Sequence, residues 1–146
     1  MVEKDHPRGS RLIVVDANVL AYSIIEGTLT PWALQVRDRD PHWRLPGIWR
    51  HEILNIFTTY VRQGGLTKDK AVKALEDVYA HILPNEVELG PIETLEIALH
   101  YKITAYDAQY VLLAQKLGVP CVTEDRALRR STPGLTVSME NFVTGK

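Results

Sequence analysis

The stretch from Leu12 to Leu20, Leu-Ile-Val-Val-Asp-Ala-Asn-Val-Leu, constrains the fold of this chain more than any other. Its first four residues are all apolar and three of them are β-branched. Such a run reads as a strand covered on both faces, the habit of a central strand in a parallel sheet. Asp16 ends it, and behind Asp16 the spacing of Val19, Leu20, Ile24 and Ile25 begins a helix. A carboxylate so placed stands at the carboxyl edge of an open α/β sheet, where ligands bind.

The rest of the chain repeats this alternation. Thr30 to Arg39 reads as a helix with Thr30 as its cap and Pro31 at its first position, stopped by Asp40-Pro41. His42 to Ile48 is the candidate second strand, with Pro46-Gly47 interrupting it. Trp49 to Val61 has an apolar stripe of Trp49, Ile53, Ile56 or Phe57, and Tyr60 and closes at Gly64-Gly65. Thr67 starts a further helix through Ile82, and Glu86 to Leu89 and Pro91 to Leu99 follow as a short strand and a short helix. Thr104 to Leu117 is apolar on nearly every side and predicts a buried helix stopped by Gly118. Val119 to Thr123 is the next strand, Glu124 to Arg130 a helix begun by two acids and ended by two arginines, and Thr136 to Ser138 an edge strand before a terminal turn at Asn141 to Val143. Strands alternating with helices predict an α/β fold, a mostly parallel central sheet with helices on both faces.

With 146 residues the chain has room for one domain and one core. We expect that domain over 11–146, after a polar, flexible lead-in over 1–10 without the apolar segment of a signal peptide. A formal charge of -1 gives no overall basic field, so any hold on nucleic acid must come from a local patch. The single cysteine, Cys121, leaves no intrachain disulfide and suits a reducing compartment. No apolar run approaches the roughly 20 residues that span a bilayer, which predicts a cytoplasmic protein away from membranes.

Four carboxylates hold equivalent places in this outline. Asp16 and Asp125 follow apolar strands, and Glu52 and Asp107 lie in the first turns of apolar helices. In a parallel sheet whose first strand neighbours the Val119 to Thr123 strand, all four converge near the topological switch point. Clustered carboxylates repel unless a cation neutralises them, and a hard divalent ion is the economical explanation. Magnesium or manganese at such a site supports hydrolysis of a phosphodiester by an activated water, with no covalent intermediate. Capping accounts for any one acid alone: Asp16 as an N-cap, Thr104 with Asp107 as a capping box, Glu52, Glu124 and Asp125 as acids at helix starts. It does not explain Glu52 among Trp49, Ile53 and Ile56, a costly place for an unpaired charge.

These residues resemble the PIN-domain family, and especially its VapC-like toxins, over Leu12 to Val143. Val15-Asp16-Ala-Asn-Val-Leu20 is similar to the family's first acid motif, His51-Glu52-Ile-Leu-Asn55 to its second, Tyr106-Asp107-Ala-Gln-Tyr110 to its third and Val122-Thr123-Glu-Asp125 to its fourth. The resemblance implies a single PIN-like domain and a magnesium- or manganese-dependent endoribonuclease. It implies Asp16, Glu52, Asp107 and Asp125 as metal-binding, catalytic acids. It also implies RNA as substrate, a separately encoded antitoxin that holds the enzyme inactive, and a homodimer. Glu124 stands beside Asp125 as an alternative fourth acid, and Asn18 and Thr123 as supports through hydrogen bonds or as local caps. The polar lead-in and the Pro46-Gly47 break depart from the toxin pattern.

Arg126, Arg129 and Arg130 are candidates for RNA phosphates, with pairing to the helix dipole as the alternative for the last two. Trp32, Trp43 and Trp49 are assigned to packing. His51-Glu52-Ile-Leu-Asn55 lacks the second histidine of a zinc-protease helix, and His6, His42, His81 and His100 have no ligand spacing. A haloacid-dehalogenase-type phosphatase would need a second acid at position 18, which is asparagine. A non-catalytic PIN-like module binding RNA or protein has little use for so costly a carboxylate cluster.

Overall fold

Ile13, Val14 and Val15 are all but inaccessible in the first strand, β1 (Leu12–Val15). Successive strand residues face opposite sides, so both faces of β1 are covered, as its unbroken apolar run predicts. The computed structural model describes residues 12–146, and the lead-in expected over 1–10 lies outside the described residues.

Four more strands join β1: β2 (His42–Pro46), β3 (Glu86–Val87), β4 (Cys121–Val122) and β5 (Thr136–Val137). They form one sheet in the order β3-β2-β1-β4-β5, and every neighbouring pair is parallel. Ile13 pairs with Trp43 on one side of the central strand, and Val14 with Cys121 on the other. Parallel pairing obliges the chain to cross back between strands. Helices α1 (Ala17–Tyr22) and α2 (Thr30–Arg39) make the first crossing, α3 (Trp49–Arg62) and α4 (Lys68–Ile82) the second, α5 (Pro91–Tyr101) and α6 (Ala105–Leu117) the third. A short helix, α7 (Arg126–Ser131), makes the last, and α8 (Met139–Thr144) follows β5. The chain grows from β1 through β2 to β3 and then returns to the other side of β1, so the exits of β1 and β4 lie side by side at the switch point.

Helix α6 packs on β1, β2 and β4, which explains why Ala108, Val111, Leu112, Leu113 and Ala114 are all buried. Its ends follow local chemistry. The Thr104 hydroxyl accepts the Asp107 amide at 3.0 Å, and Gly118 stops the helix in a left-handed turn with φ 67° that a side chain would strain.

The structure departs from the sequence reading at four places. Thr30 is the first residue of α2 and not its cap; its hydroxyl accepts the Gly27 amide at 3.0 Å and donates to the Ile25 carbonyl at 3.1 Å, so it braces the preceding loop. Helix α1 starts behind Asp16 as read, with the Asp16 side chain as its cap, but it ends at Tyr22, so Ile24 and Ile25, read into the helix, lie in the loop beyond it. Only Asp125 of the two acids after β4 caps α7, and Glu124 lies outside the helix. The terminal turn is a full helix, α8, packed on α2.

Trp49 ties α3 to β3. It is fully buried, its Nε1 donates to Glu86 Oε1 at 2.7 Å, and its ring lies 5.1 Å from that of Tyr79. Replacing Trp49 by alanine is expected to cost about 3–5 kcal/mol of stability, read as a lowered urea midpoint.

Candidate active site

The backbone brings the two strand exits together before any side chain is considered. The Asp16 amide donates to the Val122 carbonyl at 3.3 Å, which sets the first residue after β1 against the end of β4. Thr123, fully buried one residue later, then makes the central contact. Its hydroxyl donates to Asp16 Oδ2 at 2.5 Å and accepts the Asp125 amide at 3.1 Å. One hydroxyl therefore orients the acid after β1 and the loop that carries the acid after β4.

Asp16 is partly buried and N-caps α1, its Oδ1 accepting the Val19 amide at 2.9 Å. Burial pushes its carboxyl up from 3.8 to about 6; the bonds from Thr123 and Val19 oppose the rise, and the charges of Glu52 and Asp107 add to it. Glu52, half-buried in the first turn of α3, accepts a hydrogen bond from Tyr110 Oη of α6 at 2.6 Å. Burial raises its pKa, the Tyr110 bond lowers it and Asp107 raises it. Asp107 is half-buried in the first turn of α6, raised first by burial and then by the charge of Asp125, with a hydrogen bond to Thr104 pulling the other way.

Asp16, Glu52 and Asp107 thus sense one another's charge, and Asp107 senses Asp125. Asp125 is more exposed and N-caps α7, its Oδ1 accepting the Leu128 amide at 3.0 Å. None of the four acids forms an ion pair among the described residues, whose two salt bridges are Arg50 with Glu86 and Lys116 with Glu93. The cluster has the donor chemistry a hard cation favours. Yet no group of three or more His, Cys, Asp or Glu among the described residues is arranged so that together they could hold a metal ion.

The remaining candidates separate. Glu124 turns away to accept the Met139 amide at 2.7 Å, closing the first turn of α8. Asn18 is exposed on α1 and makes no side-chain hydrogen bond among the described residues. Arg129 donates to the Thr123 carbonyl at 2.8 Å and so braces the loop after β4, whereas Arg126 and Arg130 are exposed. Two residues had no role assigned from the sequence. Tyr110 lies three residues after Asp107, hence on the same helix face, and that spacing was its available signal. Tyr22, at the end of α1, is half-buried and raised by burial and then by the charge of Asp16, with smaller contributions from Tyr60 and Glu124. No local pattern marks it.

Comparison with known proteins adds the following. The sequence profile described as PIN domain matches residues 13–132. The chain is 28% identical to Ribonuclease VapC3 of Pyrobaculum aerophilum over 127 residues, covering 84% of this chain and 96% of that protein. It superposes on the crystal structure of PAE2754 from Pyrobaculum aerophilum with a TM-score of 0.70 at 22% identity, covering 99% of this chain and 94% of the other. A toxin-antitoxin complex from Klebsiella pneumoniae gives 0.61 at 17% identity over 87% of this chain and 97% of the other, a likeness of fold.

Asp16 carries a pH signature of its own. A carboxyl raised from 3.8 unfolded to about 6 folded retains its proton longer in the folded state, so it opposes folding increasingly as pH rises between those values. Asp16→Asn keeps a capping side chain and removes the charge. In the absence of divalent cations the variant is expected to exceed the wild type in stability by up to about 3 kcal/mol at pH 7. The gap shrinks toward zero as pH falls through 6 to 4, as checked by urea unfolding at pH 7, 5.5 and 4.

Proposed function

Since the chain belongs to the PIN-domain family, we propose that it is a metal-dependent endoribonuclease and the toxin of a toxin-antitoxin pair. What supports this most is a single feature: Asp16, Glu52 and Asp107 are held partly buried within electrostatic reach of one another at the carboxyl edge, with no cationic partner among the described residues. Such an arrangement stores repulsion that a bound cation relieves. A binding module gains nothing from it. The likeness to Ribonuclease VapC3 supports the same reading.

Asp16, Glu52, Asp107 and Asp125 would hold Mg²⁺ or Mn²⁺. Magnesium keeps several waters and uses one or two carboxylates directly, so it does not require three acids to be gathered beforehand. The bound ion would polarise the phosphodiester and make a coordinated water more acidic. The chain's own residues prepare for this. Thr123 holds Asp16 in one orientation, and Tyr110 does the same for Glu52, so neither carboxylate spends entropy finding its place. The raised pKa of Asp16 keeps a fraction of it protonated near pH 6, which predicts weaker metal binding and slower cleavage below that pH. Arg126 and Arg130, exposed on α7 beside Asp125, are placed to meet RNA phosphates. Thr123 and Asn18 are supports at most, and Glu124 serves α8.

Two partners follow from the same reading. A separately encoded antitoxin would cover the acidic edge in the cytoplasm. A second copy of the chain would cover α5, where Ile92, Leu95 and Leu99 form one stripe that is 67%, 53% and 70% exposed. No helix among the described residues is long and apolar enough to cross a membrane.

Purified protein is expected to cut single-stranded RNA with Mg²⁺ or Mn²⁺, to stop with EDTA, and to lose at least about a hundredfold in rate in Asp16→Asn. Either metal should also raise the melting temperature of the wild type and leave that of Asp16→Asn nearly unmoved, a readout independent of turnover. RNA left intact with both metals would defeat the nuclease proposal, and a metal-insensitive melting temperature would defeat the metal site. For the second copy, Leu95→Lys is expected to halve the mass seen by light scattering, and an unaltered mass argues against α5.

A further inference from the structure

Beside the acids, on the β2 and β3 side, lies an open cleft of about 480 Å³, within the range of small-ligand sites. The Glu52–Tyr110 hydrogen bond joins α3 to α6, and both helices contribute to the walls of the cleft. His51 precedes Glu52 and Gln109 precedes Tyr110, and both line the cleft. Gly47, Ile48 and Arg50 at the start of α3 and Glu88 and Leu89 after β3 complete its walls. All strands are parallel, so these loops share the carboxyl edge with Asp16.

The charges there select what can enter. Arg50 is committed to Glu86 through Nε at 2.8 Å and Nη2 at 2.6 Å, and Trp49 also donates to Glu86. That pair is internally neutral. Glu88, exposed and with no ion pair among the described residues, leaves the cleft with an acceptor of unbalanced negative charge. A phosphate is repelled, whereas a base presenting N–H donors is favoured. Of the four RNA bases, guanine alone offers two adjacent donors, N1–H and N2–H₂, to one carboxylate, and its O6 and N7 are acceptors. Gln109 carries an amide held only by a 3.5 Å contact to the Ala105 carbonyl, Arg50 retains an Nη1 with no partner among the described residues, and His51 is exposed. Each of these can donate to guanine O6 or N7. Leu89 and Ile48 add apolar surface for the ring.

We propose that this cleft seats a guanine base of the RNA strand next to the scissile phosphate, with the Glu88 carboxylate reading its N1–H and N2–H₂ edge and Gln109 its acceptor edge. The assignment rests on the ribonuclease reading above and adds its sequence preference. Glu88 and Gln109 select the substrate; neither touches the reacting atoms.

The test is a random-sequence RNA pool cut by the wild-type protein with Mg²⁺ or Mn²⁺, with the product ends sequenced, followed by single substrates in wild type and Glu88→Gln. Guanosine is expected at one fixed position relative to the cut. Inosine there, which lacks the N2 amino group, should lower kcat/KM by about tenfold in the wild type and by much less in Glu88→Gln. Glu88→Gln should also reduce the ratio of cleavage at guanosine to cleavage at adenosine about tenfold. Gln109→Ala should lower the same ratio. Cleavage with no guanosine enrichment, or a preference that Glu88→Gln and inosine leave unaltered, overturns this proposal and leaves the nuclease reading standing. If neither metal supports any cleavage, the nuclease reading falls and the base assignment with it.

Discussion

Parallel pairing of β1 with β4 is the constraint on which the site depends. It sets the ends of two strands, separated by more than a hundred residues of chain, at one height on one edge. Thr123 converts that adjacency into chemistry, because its hydroxyl can donate to Asp16 and accept from Asp125 at once. The hydroxyl is fully buried, so a valine of the same shape would leave both partners short of a bond. The tertiary contact between Glu52 and Tyr110 does for α3 and α6 what Thr123 does for the strands.

Asp16 and Asp125 also cap helices without using all of their acceptor capacity. Asp16 uses one oxygen on the Val19 amide and the other on Thr123, and each oxygen keeps a further lone pair. Asp125 spends one oxygen on Leu128 and has a second without a partner among the described residues. A helix N-terminus tolerates negative charge, which offsets part of the penalty of gathering carboxylates at one edge. The rest of that penalty remains in the fold as the raised pKa values of Asp16, Glu52 and Asp107.

Helix starts and stops were legible where the signal is local. Thr67, Thr104 and Gly118 act within three or four residues of themselves, and their roles could be read directly. Thr30 misled because its hydroxyl found partners in the preceding loop, at Gly27 and Ile25, and a sequence pattern does not choose between a loop and a helix for the same hydroxyl. Glu124 misled for the opposite reason. Its partner, the Met139 amide, lies fifteen residues on, and α8 itself was read as a turn since six residues carry little periodicity.

What the sequence determined by itself is the set of elements and where along them the acids stand. A short, β-branched apolar run ended by an acid reads as a central strand with its carboxylate at an edge, and the recurrence of acids at element starts points to one cluster. What only the tertiary structure decided is who meets whom. The Glu52 contact with Tyr110 spans 58 positions and the Asp16 contact with Thr123 spans 107. Glu86 comes to Trp49 and Arg50 across 37 and 36. Propensity and periodicity act over a few residues, whereas these contacts follow from strand order and helix packing, which minimise exposed apolar surface over the whole chain at once.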